Sequence, residues 1–188
     1  IYFLFVLTAG AVELPSFSED IHKEIKNEAY LNIDKLPISP TVYYIVKSFA
    51  RNSITVVVFA IFSICYMIFN KMPVVSIITF LPTVILGMIL SHLIFFTFTC
   101  FNFYSETADI WLFRAIFDFT SGRWIPIAYA PPIIQTILYL LPFPYAFGAL
   151  AKNFSNFQPH EVFTSVGISV GWCIALTIIS AYLWRKGS

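Results

Sequence analysis

The sequence predicts an all-α, polytopic transmembrane helical bundle, and three observations lead there. Of 188 residues, 59% are hydrophobic and only 11% charged, where soluble domains carry roughly a quarter charged. The apolar residues are gathered into blocks that approach the roughly 20 residues a helix needs to cross a bilayer. Between the blocks fall short breaks: Asn70-Lys71-Met72-Pro73, FNFYSETAD from Phe101, and KNFSNFQPHE from Lys152. The formal charge of +1 comes with no basic patch, so no nucleic-acid partner is expected.

Residues 1–12 read as the end of a span whose start precedes the chain, because the opening lacks the basic residues of a signal peptide. Residues 13–53 form a charged loop and an opening helix. In SEDIHKEIKNEAYLNIDK, the residues Ile21, Ile25, Ala29 and Ile33 recur every four positions, the stripe of a short amphipathic helix. Such a helix lies on the bilayer or docks another protein. Pro37 breaks the chain, and Ser39-Pro40 supplies an N-cap with proline in the first turn.

Residues 54–120 are expected to hold three spans with short turns. The first is Ile54–Phe69 with its upstream aliphatics. The second is Val74–Thr99, carrying Pro82 and Gly87 as kink or close-packing points. The third begins at Ile110. The last span and its tail, 161–188, run through Val162–Trp184 to Arg185-Lys186. If the first loop is cytoplasmic, that side holds Lys23, Lys26, Lys35, Lys47, Arg51, Arg114, Arg185 and Lys186. The other side holds Lys71, Arg123 and Lys152. This asymmetry favours a cytoplasmic C-terminus.

Residues 121–160 are apolar yet proline-rich, with Gly122, Pro126, Pro131, Pro132, Pro142, Phe143 and Pro144 in FTSGRWIPIAYAPPIIQTILYLLPFPYAF. Pro131-Pro132 can open a helix, since first-turn donors are free anyway, and Pro142 and Pro144 end it. The result is a helix of about ten residues, too short to cross. A re-entrant helical hairpin on the outer side, before the last span, fits this pattern. A helix lying flat on that surface and one bent crossing are the alternatives.

Three polar residues stand inside apolar segments: His92, Arg114 and Asp118. Ionisable groups at membrane depth usually face the bundle interior, paired. Arg114 and Asp118, four apart, either pair along a path or let Arg114 reach the surface by its long stem. His92 either bonds a carbonyl or hydroxyl of another helix or serves a proton relay. Cys65, Cys100 and Cys173 fit no metal site or disulfide framework, and no metal is expected. No HExxH, GxSxG or phosphate-binding lysine loop is present, so the chain is read as no enzyme and as binding no cofactor itself.

In its order of elements the chain resembles the permease subunits of bacterial and archaeal type-2 ABC exporters, in particular the six-span multidrug or daunorubicin-like group. The resemblance rests on IKNEAYLNIDKLPISPTVYY, two following spans, then Ser121-Gly122, Pro126, Pro131 and Leu141-Pro142-Phe143 before the last span. Where members of the group often carry glycine in the loop, this chain has Glu28. The resemblance implies a single permease domain, truncated at its N-terminus, in the plasma membrane of a bacterium or archaeon. It implies a separate ATP-binding subunit holding ATP and Mg²⁺, and a second permease copy or homologous permease as homo- or heterodimer partner. Ile21, Lys23, Glu24, Ile25 and Glu28 would then couple to the ATPase subunit, and an amphiphilic or drug-like substrate would leave outward. A secondary transporter, or a non-transporting membrane scaffold or immunity protein, is the alternative from other classes.

Overall fold

The computed structural model describes residues 20, 21, 23, 24, 27, 30–33, 35–101, 110–155 and 158–187. Among them the secondary structure is entirely helical. Seven α-helices follow in order: α1 Tyr30–Ile33, α2 Pro40–Phe69, α3 Val74–Cys100, α4 Ile110–Thr120, α5 Pro132–Leu138, α6 Gly148–Ser155 and α7 Pro159–Gly187. Short 3-10 turns at Ile127–Tyr129 and Phe143–Tyr145 flank α5. The expected opening span, Ile1–Thr8, lies outside the described residues.

Three helices, α2, α3 and α7, are long and apolar enough to cross a membrane. They make this a polytopic membrane bundle. Its exposed surface agrees with lipid as the solvent: Ile54, Val58, Ile61, Phe62 and Phe69 of α2 all point away from the protein. In water such a patch would mark an interface or an aggregation site.

α2 starts where the sequence dictates. Ser39 Oγ accepts from the Val42 amide, and Pro40 occupies the first turn. The helix then runs 30 residues without a break, about 45 Å at 1.5 Å per residue. It stops in a two-bond cap. Lys71 N–H donates to Ile68 O and Met72 N–H to Met67 O, both at 3.0 Å, with Lys71 in the left-handed region at φ 53°. That pattern satisfies the last carbonyls and turns the chain.

α3 is the hub. In its most apolar stretch 44% of residues are buried, against 22% for α2 and 17% for α7. The helix continues through Pro82. Gly87 marks a close approach: a Cβ there would collide with the Ala146 carbonyl oxygen. α7 lies along α3 in the same direction, because Ser169 Oγ donates to Tyr145 O beside Gly87 while Trp184 stacks on Phe96. Tyr44, Phe96 and Trp184 form one aromatic cluster with centroids 5.6–5.9 Å apart. The start of α2 and the ends of α3 and α7 therefore share one end of the bundle, the near end. The Asn70–Pro73 turn marks the far end.

From Ile110 the expectation was a further span. α4 ends after 11 residues, about half of what a crossing needs. The reason is local. Gly122 adopts φ 79°, its amide donates to Phe119 O at 3.4 Å and the Arg123 amide to Asp118 O at 3.2 Å, which closes the helix in the glycine-terminated cap. The chain then leaves for 26 residues and returns. Gly148 N–H, at the start of α6, donates to Ser121 O at 2.8 Å, so α6 begins where α4 ended.

The prolines do in that excursion what their geometry allows. Pro126 precedes the first 3-10 turn, and Pro131-Pro132 opens α5, which spans seven residues rather than about ten. Pro142 caps the second 3-10 turn, Phe143–Tyr145, and Pro144 lies within it. Phe143 packs edge-on against Phe117 and Phe113 of α4. The aromatic core from Phe95 through Phe117 to Phe147 joins this return leg to α3.

Candidate functional site

Among the described residues, several polar constellations interrupt the apolar bundle. At the near end, Glu24 is held by two residues one turn apart on α2: the Tyr44 hydroxyl donates at 2.6 Å and Lys47 Nζ at 2.7 Å. A further turn on, Arg51 pairs with Asp20 at 2.7 Å. Ile21 is fully buried between these clamps, packed with Ile33, Tyr44, Phe96, Cys100 and Trp184. Asp20, Ile21 and Glu24 are thus held on α2 by one buried isoleucine and two acid–base contacts.

Of the residues expected to couple to a partner subunit, Ile21 is buried beside Tyr44 and Trp184, and Glu24 is bonded to Tyr44 and Lys47 of α2. Lys23 is exposed, as are Asn27, Leu31, Asn32, Lys35 and Leu36. Ile25 and Glu28 lie outside the described residues.

In the middle of the bundle, His92 is fully buried. Its Nδ1 lies 2.7 Å from Met88 O and its Nε2 2.6 Å from Ser48 Oγ. A carbonyl only accepts, so Nδ1 carries the proton and Nε2 accepts from the serine hydroxyl, as in a neutral imidazole. Phe49 stacks on the ring at 5.5 Å. The bond to Ser48 is the hydroxyl-on-another-helix alternative of the two considered for His92. Along α2, Thr41, Tyr44, Ser48 and Asn52 are all buried. That polar stripe stands at helical spacing in the sequence itself.

The third constellation surrounds Asp118, 2% exposed. Arg114 Nε approaches its Oδ2 at 3.4 Å, and Arg123 NH1 its Oδ1 at 3.0 Å. Its position after the apolar block puts Arg123 on the far side by sequence. The turn at Gly122 instead folds it back onto α4, five residues from Asp118, a spacing that helical periodicity does not select. Trp111 and Trp124, both largely exposed, complete a cleft of about 450 Å³ with Ala115. The guanidinium of Arg114 also lies 5.9 Å from the Trp111 ring, within cation–π range.

At the far end a smaller cleft of about 370 Å³ lies between the return leg, α6 and α7, with Tyr139, Lys152, His160 and Glu161 on its wall. Lys152 and Glu161 approach to 3.8 Å across it. Burial, and then the Glu161 charge, push the Tyr139 phenol above its ordinary range, so it stays a neutral hydroxyl. Among the described residues no group of three or more His, Cys, Asp or Glu side chains is placed to hold a metal ion.

Comparison of the chain with protein-family models, with curated proteins and with solved structures finds no match.

Proposed function

We propose that this chain is the membrane-spanning permease subunit of an ATP-driven exporter of the type-2 ABC class, working with a separate ATP-binding subunit and a second permease. The observation that carries the reading is the clamp at the near end. A loop segment tied to the first span through Glu24–Tyr44, Glu24–Lys47 and Asp20–Arg51 is built to pass a push from outside the bundle into α2. Ile21 and Glu24 act as the inner half of that lever, and the exposed side with Lys23, Leu31 and Lys35 is the surface offered to the motor. Two further features support the reading. The proline-broken leg between Ser121 and Gly148 is a re-entrant hairpin at the outer mouth. The near end, with Lys23, Lys35, Lys47, Arg51, Arg185 and Lys186, is cytoplasmic by the positive-inside tendency.

Co-purification of an ATP-binding subunit with the tagged chain from native membranes, followed by ATPase assay of the pair, tests the proposal. Lys23→Glu with Leu31→Asp should lower coupled ATPase stimulation while leaving the bundle folded. Absence of any ATP-binding subunit, with ion-gradient-driven transport in vesicles, would replace this reading by the secondary-transporter one.

A further inference from the structure

The cleft beside Asp118 has an asymmetry of charge and an asymmetry of wall. Two guanidinium groups face one carboxylate there among the described residues, and Asp118 is the buried member. Arg114 reaches that carboxylate through Nε alone, at 3.4 Å, which leaves its terminal amino groups to the cleft it lines. Guanidinium groups suit carboxylates and phosphates, with which they form paired hydrogen bonds. The walls are two exposed indoles, Trp111 on α4 and Trp124 after the Gly122 turn, and Leu112, Ile116 and Phe119 of α4 are also exposed. Depth follows from packing. Phe113 stacks on Phe98 and Phe117 meets Phe95, so α4 climbs beside the last turns of α3. That places Asp118 roughly 10 Å above the near end of α3, at 1.5 Å per residue.

We propose that this cleft binds the anionic head of an amphiphile, its oxyanion on Arg114 and its apolar tail along Trp111 and Trp124. Asp118 keeps both arginines in place and repels a second carboxylate from its own position. The Arg114 guanidinium disfavours a cationic head in the same place. The site needs only membrane embedding and does not depend on the exporter reading. A membrane phospholipid and a free fatty-acid-like cargo share the chemistry, and the test separates them.

The full chain is placed in nanodiscs of phosphatidylcholine, with a minor fraction replaced by brominated phosphatidylcholine, brominated phosphatidylglycerol or brominated stearate. Tryptophan quenching reports tail contact at Trp111 and Trp124. The expected result is stronger quenching by one or both anionic probes than by the zwitterionic one, diminishing as salt rises. Excess from phosphatidylglycerol alone assigns a lipid headgroup, and excess from stearate assigns a single-chain carboxylate ligand. Arg114→Gln should weaken the excess roughly tenfold, the size of one charge-assisted hydrogen bond, and Arg114→Lys should restore part of it. Equal quenching by the three probes in the native chain overturns the proposal. So does an excess that survives Trp111→Phe with Trp124→Phe, a result that stands even where Arg114→Gln fails to fold.

Discussion

Single positions in this bundle divide into those where an atom more is intolerable and those where it is harmless. At Gly87 an added methyl meets the Ala146 backbone oxygen, and a carbonyl fixed in a packed turn cannot swing aside. Gly87→Ala should destabilise the protein by about 1–3 kcal/mol, the usual cost of overpacking. Gly167 in α7 has nothing within 4 Å of the same methyl, so Gly167→Ala should be neutral or stabilising by up to about 1 kcal/mol through helix propensity. Thermal unfolding of both variants in detergent checks the pair; equal melting temperatures would refute the close approach. Asp118 is sensitive for a different reason. Asp118→Asn removes the shared counter-charge of two arginines. Breaking a fully buried pair costs about 3–5 kcal/mol, and because Arg114 and Arg123 are partly exposed the expected loss is smaller, about 2 kcal/mol. Asp118→Asn combined with Arg114→Gln should recover part of that loss in the same melting assay.

At the scale of elements, two helix ends use the same cap with different residues. Gly122 takes φ 79° without penalty, whereas Lys71 holds φ 53° against the Cβ cost that glycine avoids. Lys71→Gly should therefore raise stability by about 0.5–1 kcal/mol, and Gly122→Ala should lower it by about 1 kcal/mol. Equilibrium unfolding that shows both changes with the same sign would contradict the cap assignment. These ends were legible in the sequence because their signals are local: Ser39-Pro40, the Asn70–Pro73 turn, Ser121-Gly122 and Pro131-Pro132 each act within a few residues. The return after α4 was not legible, since an apolar run ending at Ser121-Gly122 gives no sign that its continuation departs and then rejoins it at Gly148. Nor was the pairing of Arg123 with Asp118, which depends on a left-handed turn reversing the chain. The fate of Ile21 was ambiguous for a physical reason: a stripe of isoleucines specifies burial, not which surface provides it. Of the Asp118 site, the Arg114–Asp118 spacing pointed to a pair, while the second arginine and the flanking tryptophans needed the fold.

For the whole molecule, sidedness is the property from which any function must be built, and contacts fix it more firmly than charge counting. Tyr44, Phe96 and Trp184 touch, yet they belong to the first turns of α2 and the last turns of α3 and α7. The 28-residue span of α7, His160–Gly187, runs about 42 Å, so the other ends of these helices lie on the opposite face. Lys35 before α2 and Lys186 at the end of α7 must then share a side, and Lys71 and Lys152 must share the other. All four are exposed, so single cysteines at these positions in a background without Cys65, Cys100 and Cys173 report directly to a membrane-impermeant maleimide. Cysteines replacing Lys71 and Lys152 should label in intact cells, and those replacing Lys35 and Lys186 only after permeabilisation, since the near end carries more lysine and arginine. Labelling of position 152 together with 186 on one face would mean that α7 does not cross, and the aromatic cluster at the near end could not hold three spans together as described.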